Sequence, residues 1–159
     1  MISLLEAILN VKIDELEIVQ DTKLEKDRIE DKQGILDVRA VFNDGTNVNI
    51  EIQLINQYNM DKRTLFYWAK MFAEQLNPGN NFSELKKTIT INILDFNYIK
   101  GIEKYHSTYH LREDEFRENI LTDVLEIHYI EFPKFESKEK PNLKSALERW
   151  LLFMKSMTI

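Results

Sequence analysis

The stretch from Gly34 to Gln57 constrains the fold of this chain more than any other, because it has the pattern of a β-hairpin. Two runs of alternating apolar and polar residues flank Asn43-Asp44-Gly45, which is a typical hairpin turn sequence. Side chains on a strand alternate between its two faces, so the apolar residues share one face. That face carries Leu36, Val38, Ala40, Phe42, Val48, Ile50, Ile52 and Leu54. The other face is mainly polar and carries Asp37, Arg39, Val41, Asn47, Asn49, Glu51 and Gln53.

The length of the turn decides which residues of the two strands face each other. A two-residue loop, Asp44-Gly45, would set Asp37 against Ile52 and mix polar with apolar side chains on both faces. A three-residue loop, with Gly45 in the left-handed position of a bulge, sets Asp37 against Glu51. Only the second register keeps each face uniform, so we predict it. It brings two carboxylates to about 5 Å from each other.

Two adjacent carboxylates repel each other unless a positive charge lies between them. Mg²⁺ and Mn²⁺ favour oxygen ligands, and one or two carboxylates leave positions open for water and a phosphate. Gln53, two residues after Glu51 on the same face, could orient an attacking water or contact that phosphate. The alternative is a solvated polar face with no function, and spacing alone favours it because the pattern often occurs by chance.

The chain resembles a known family in the order of its motifs. Gly34-Ile35-Leu36-Asp37 and Asn49-Ile50-Glu51-Ile52-Gln53 resemble the PD-(D/E)XK nucleases, in particular the PD-(D/E)XK nuclease family transposases, or Rpn-type recombination-promoting nucleases. In that branch Gln takes the position of the usual Lys. The resemblance continues through Arg63 and Tyr67, Gln75-Leu76, the strand 90–96, Tyr105 to Leu111, and Leu121 to Lys134.

The resemblance implies an α/β fold with a restriction-endonuclease-like core, in which helices flank a central mixed β-sheet in the order αβββαβ. It also implies one nuclease-like domain over residues 1–159 that lacks the family's extreme N-terminal segment. The implied function is a metal-dependent DNA endonuclease of transposase type, in which Asp37 and Glu51 bind Mg²⁺ or Mn²⁺ and Gln53 completes the catalytic set. Arg63 and Tyr67 would bind the DNA, and Glu6 would be an additional acidic residue from the first helix.

Two other functions remain open. A degenerate domain could keep the fold and act as a DNA- or protein-interaction module without cleaving DNA. An oligomerising scaffold, such as a homodimer, could use the Trp68 and Phe72 side chains as its interface rather than as core.

Length, composition and charge limit the kind of protein and the cellular location that we expect. The chain has 159 residues, enough for one domain with a real core, and no cysteine, which fits a reducing compartment. It contains no run of about 18 apolar residues, so we expect a cytoplasmic protein without a membrane span. The net charge of −6 argues against indiscriminate binding to nucleic acid, although positive charge need only cluster locally for a nuclease.

Periodicity predicts the remaining elements. We expect helices over Ile2–Leu9, with Ser3 as N-cap, over Met60–Leu76 and over Leu143–Met154. In the second helix, Leu65, Trp68, Ala69, Phe72, Ala73 and Leu76 are predicted to face the core.

We expect strands over Leu16–Asp27, Thr88–Phe96, Tyr105–Leu111 and Val124–Phe132, and a connector over Pro133–Pro141. The charged stretch Lys23–Gln33 is predicted to be solvated, although its Lys32 could approach Asp37. The three histidines are predicted to be structural or surface residues, because His106 and His110 lie in an extended context.

Overall fold

The computed structural model describes residues 1–19 and 35–157. Within these residues six strands pair into a single sheet: β1 (Leu16–Val19), β2 (Ile35–Phe42), β3 (Asn47–Gln53), β4 (Thr88–Leu94), β5 (His106–Arg112) and β6 (Ile120–Glu131). The same ranges contain four α-helices: α1 (Ile2–Leu9), α2 (Met60–Ala73), α3 (Phe132–Glu136) and α4 (Ala146–Ser156). A short 3₁₀ turn covers Phe82–Glu84.

The sheet is mixed, with the strand order β1-β2-β3-β4-β6-β5. The pairs β3–β4 and β4–β6 are parallel, and the other three pairs are antiparallel. Helix α2 connects β3 to its parallel neighbour β4, as parallel pairing requires a crossover. The order α1-β1-β2-β3-α2-β4 confirms the predicted αβββαβ core and the restriction-endonuclease-like α/β fold.

The hairpin of β2 and β3 has the predicted register. Asp37 lies opposite Glu51, and Val38 lies opposite Ile50. The turn holds three residues, since the backbone N–H of Phe42 donates to the carbonyl of Thr46 at 2.9 Å. Gly45 has a φ of 89°, the left-handed conformation that glycine adopts at no steric cost. The demand for uniform faces was therefore sufficient to select the register.

The apolar face of the sheet carries the larger hydrophobic core. Val48, Ile50 and Ile91 pack there against Leu5 of α1 and Leu151 of α4. Helices α1 and α4 therefore cover this face together. Trp150 of α4 also donates from Nε1 to Ser3 Oγ at 3.2 Å, so Ser3 contacts α4. The N-cap of α1 is Met1, so the prediction of Ser3 as a cap is wrong.

The polar face is buried as well, so the structure does not have the solvated face that was the alternative to a functional site. Asn47, Asn49, Glu51 and Gln53 are all buried. The reason is that α2 crosses this face of β3 and β4 and brings polar partners of its own. Thr64 Oγ1 donates to Asn92 Oδ1 at 2.8 Å, and Trp68 Nε1 donates to the carbonyl of Thr88 at 2.8 Å.

The inward side of α2 also differs from the prediction. Its buried residues are Met60, Thr64 and Met71, whereas Leu65 is 49% exposed and Ala69 and Ala73 are exposed. The helix is rotated relative to its apolar stripe because the strands beneath it present polar side chains. Trp68 and Phe72 are half-buried and stack on each other, with their ring centroids 4.8 Å apart.

The remaining expectations are met in part. β4, β5, β6 and α4 occur where strands and a helix were predicted, with boundaries shifted by a few residues. The predicted connector Pro133–Pro141 contains most of α3, because Pro133 occupies the first turn of that helix, where it is well tolerated. The predicted strand Leu16–Asp27 is described only as far as Val19, where β1 ends. The rest of that strand and the stretch Lys23–Gln33, with Lys32, lie outside the described residues.

A buried carboxylate fixes the loop after β4 to the end of β6. Glu131 is fully buried and accepts hydrogen bonds from the backbone N–H groups of Tyr98 at 2.6 Å and Ile99 at 3.0 Å. Lys134 Nζ lies 2.6 Å from its other oxygen and also donates to the carbonyl of Ile99. Three donors therefore compensate one buried negative charge, as burial of a charge requires.

Candidate functional site

The candidate site is built where β2 and β3 run side by side under α2. Asp37 on β2 is paired with Glu51 on β3. Antiparallel pairs alternate between bonded and non-bonded types, and the bonded contact of Phe42 with Thr46 makes Asp37–Glu51 a non-bonded pair. In such pairs the Cα atoms are only about 4.5 Å apart and the side chains are close. The two carboxylates therefore emerge from adjacent positions on the same face.

Glu51 is the centre of a buried hydrogen-bond network. Arg63, in the first turn of α2, places Nε 3.2 Å from Glu51 Oε1, and Gln53 donates from Nε2 to the same oxygen at 2.5 Å. Glu51 is 4% exposed and Gln53 is 0% exposed. Both donors end on Oε1. The network thus supplies a positive charge and an amide donor to one oxygen of the buried carboxylate.

Gln53 places an amide oxygen next to the Glu51 carboxylate. Its Oε1 is buried and accepts no hydrogen bond from the described residues. A buried amide oxygen without a donor is costly, and such groups in native proteins call for a ligand or an ordered water. The carboxylates of Asp37 and Glu51 and the amide oxygen of Gln53 lie on one face of the hairpin. They are hard oxygen donors, which suit Mg²⁺ or Mn²⁺ better than softer metals.

This donor set is small. Among the residues that the structure describes, no three or more His, Cys, Asp or Glu side chains form a cluster able to hold a metal ion. Two carboxylates and one amide oxygen are nevertheless compatible with Mg²⁺, which usually keeps several waters and is held by only one or two carboxylates. The residues present therefore fit an ion whose remaining ligands are water and substrate phosphate, and they do not fit an ion enclosed by protein ligands alone.

Arg63 and Tyr67 lie together, one helical turn apart on α2. The guanidinium carbon of Arg63 is 5.5 Å from the centroid of the Tyr67 ring, which is cation–π distance. The Arg63 side chain is only 15% exposed. The structure thus brings both predicted substrate-binding residues to the carboxylate pair, with Arg63 directly on Glu51.

The structure does not bring Glu6 to this site. Its helix α1 packs on the apolar face of the sheet, opposite to Asp37 and Glu51. Glu6 Oε1 accepts from the backbone N–H of Ile13 at 2.9 Å and contacts Lys12. The Ile13 hydrogen bond, helped by Lys12, lowers the pKa of Glu6. Its carboxylate therefore fixes the segment that follows α1 to the helix.

Sequence reasoning did not single out Arg39. It lies two residues after Asp37 and on the same face, with Nη2 3.4 Å from Asn47 Oδ1 and Nη1 3.6 Å from Glu74 Oε2. Its side chain is largely buried. The alternation of side chains along β2 could have indicated that Arg39 shares a face with Asp37. Arg39 adds a second cation to the face of the sheet that carries the carboxylates.

A second buried polar cluster lies on the other face of the sheet, among residues predicted to be structural or surface histidines. His106 Nε2 is 2.8 Å from His128 Nδ1, and His128 Nε2 is 2.6 Å from Glu126 Oε1. Lys87 Nζ is 2.5 Å from Glu126 Oε2. A cavity of about 580 Å³ borders Glu126, His128 and Lys87.

Hydrogen bonds in this cluster stabilise the ionised form of Glu126. Burial alone would raise the pKa of Glu126, but hydrogen bonds from His128 and Lys87 outweigh burial and lower the pKa to about 2. Burial, together with the neighbouring His128, lowers the pKa of His106 to about 4. The cluster therefore contains an ionised glutamate and a neutral His106 near pH 7. Its members come from β5, β6 and the residue just before β4, so the sequence gives little sign of it.

The fold and the site together define an α/β protein of the restriction-endonuclease-like class, with an acidic pair on its central hairpin. The family model of the PD-(D/E)XK nuclease family transposases matches residues 1–158. The chain belongs to this family. Comparisons with curated proteins and with solved structures gave no match. None of the helices in the described ranges has the length and apolar character needed to cross a membrane.

Proposed function

We propose that this protein is a metal-dependent DNA endonuclease that hydrolyses phosphodiester bonds at the Asp37–Glu51 pair. The observation that carries the proposal is the convergence of two carboxylates and the buried Gln53 Oε1, which accepts no hydrogen bond from the described residues. Membership in the nuclease family supports the proposal but does not establish activity, since one fold can serve several functions.

Asp37, Glu51 and Gln53 would hold Mg²⁺ or Mn²⁺. When bound, such an ion lowers the pKa of a coordinated water and neutralises charge on the phosphodiester. Arg63 is already oriented by Glu51 and presents a fixed positive charge beside the carboxylates, which suits a phosphate that gains negative charge in the transition state. Gln53 Nε2 fixes the Glu51 carboxylate, so that the amide oxygen of Gln53 faces the same space.

The first test is nicking of supercoiled plasmid with Mg²⁺ or Mn²⁺. Asp37→Ala and Glu51→Ala should each lower the rate at least ~100-fold, because each removes part of the charge-stabilising set. Asp114→Ala is the matched control, since Asp114 is an exposed carboxylate in the β5–β6 turn. Cleavage that survives both active-site substitutions would contradict the proposal.

Cation binding can be measured without turnover. Mg²⁺ at about ten times its dissociation constant should raise the free energy of unfolding by about 1.4 kcal/mol in the wild type and not in Glu51→Ala. An interaction module that keeps the fold without cleaving would show neither nicking nor this gain. The expectations of a cytoplasmic location and of a homodimer remain predictions.

A further inference from the structure

An exposed aromatic ring continues the candidate site towards the surface. Phe66 is 64% exposed, although it follows Arg63 by only three residues on α2. Its ring centroid lies 5.4 Å from that of Tyr67, with the ring planes at 79°. Tyr67 in turn lies under Arg63, and Arg63 contacts Glu51. A continuous series of contacts therefore runs from the buried carboxylate to an exposed phenylalanine.

Core packing does not account for Phe66. The side of α2 that faces the sheet carries Met60, Thr64 and Met71, and the helical period of 3.6 points Phe66 away from it. The edge-to-face contact with Tyr67 nevertheless fixes the orientation of the ring, as such pairs favour this geometry. An oriented, exposed ring beside a phosphate-binding arginine suits contact with a flat ligand.

The spacing also suits a nucleotide. Three residues of α-helix advance about 4.5 Å along the axis, which is comparable with the rise of about 3.4 Å per nucleotide along one DNA strand. A phosphate at Arg63 would thus leave its own base, or the adjacent base, within reach of Phe66 and Tyr67.

We propose that Phe66 and Tyr67 stack against an unpaired base of the substrate, so that this protein prefers single-stranded DNA or a duplex with unpaired nucleotides at the cleavage point. The inference rests on the proposed nuclease function. Paired bases are covered on both faces by their neighbours, whereas bases in a single strand can stack on aromatic side chains.

The charge of the protein supports stacking as the source of affinity. With a net charge of −6, counterion release at phosphates contributes less to binding than it does for a basic protein. Stacking on an aromatic side chain adds about 1–3 kcal/mol per base and does not depend on net charge. Phe66 and Tyr67 would therefore supply affinity that phosphate contacts alone do not.

The test measures binding separately from cleavage. Fluorescence anisotropy of labelled 20-nucleotide single strands and of the matching duplex is recorded in EDTA at low salt. The expected result is tighter binding of the single strand by the wild type and a loss of about tenfold in Phe66→Ala, with recovery in Phe66→Trp. Phe153→Ala is the matched control, because Phe153 is 54% exposed on α4, which covers the opposite face of the sheet.

Three results would overturn the inference. They are equal binding of single strand and duplex, unchanged single-strand binding in Phe66→Ala, and a Phe66→Ala variant that changes only the oligomeric state in sedimentation. Plasmid cleavage without this strand preference would leave the nuclease function standing and reject the stacking site. Binding that depends on Phe66 in a protein that never cleaves would reject the nuclease function alone.

Discussion

Removing the positive charge of Arg63 should lower the free energy of unfolding, because the carboxylate of Glu51 is buried. Arg63→Met keeps most of the volume of the side chain but leaves the carboxylate of Glu51, which is 4% exposed, with Gln53 as its neighbouring donor. At the observed separation of 3.2 Å, the Coulomb energy is about 5 kcal/mol for an effective dielectric constant of about 20. Because Arg63 retains some contact with solvent, we expect a loss of about 3 kcal/mol in the free energy of unfolding, at the lower end for a broken buried pair.

The measurement is urea denaturation followed by far-ultraviolet circular dichroism at pH 7. Lys62→Met is the matched control, since Lys62 is the adjacent and exposed cation, and it should change the stability by no more than about 0.5 kcal/mol. The double variant Arg63→Met/Glu51→Gln should recover at least about 2 kcal/mol relative to the sum of the single losses, because no unpaired charge is left.

A cost of less than about 1 kcal/mol for Arg63→Met would refute this reasoning. It would mean that water reaches Glu51 freely and that the pair behaves as a surface ion pair. That result would disagree with the burial of Glu51 and Gln53 in the structure.

Two further predictions concern buried polar groups outside the candidate site. Burial lowers the pKa of His106 to about 4, so between pH 6.5 and 4 the histidine takes up a proton in the unfolded chain but not in the folded one. The contribution of His106 to the free energy of unfolding is therefore complete above pH 6.5 and is lost as the pH falls towards 4. Urea denaturation should therefore show a loss of about 2 kcal/mol between pH 7.5 and 5 that is absent in His106→Gln, and the same loss in both proteins would contradict the assignment. Glu131→Gln should cost about 2–4 kcal/mol by the same assay, because it leaves Lys134 without its buried counter-charge and offers an amide to backbone donors. Glu103→Gln, at an exposed position, is the control, and an equal effect there would reject the interpretation.

Local pattern was sufficient to predict the hairpin and the acidic pair. Uniform faces on β2 and β3 allowed only one register, and that register sets Asp37 opposite Glu51. The reason is physical: alternation has a period of two, so a slip of one residue would turn every apolar side chain of a strand away from the core. The order of the elements around α2 followed from the same kind of local signal together with the family resemblance.

Burial of the polar face was decided only by the tertiary structure. The sequence of α2 carries an apolar stripe that includes Leu65 and Ala69, yet both are exposed, because the strands beneath the helix offer polar partners to Thr64 and Trp68. Placing Arg63 on Glu51 requires two segments 12 residues apart to meet across a crossover. No local sequence pattern predicts the contact between Arg63 and Glu51.

The same limit applies to Glu6 and to the histidine cluster. The acidic character of Glu6 is visible in the sequence, but the side of the sheet on which α1 packs is not, and it separates Glu6 from Asp37. His106, His128 and Glu126 become neighbours through the pairing of β5 with β6. The sequence by itself determined which residues alternate along each strand and therefore which carboxylates share a face. The packing of helices on the two faces decided which of these groups are buried and neutralised, because burial depends on contacts between residues that are distant in the chain.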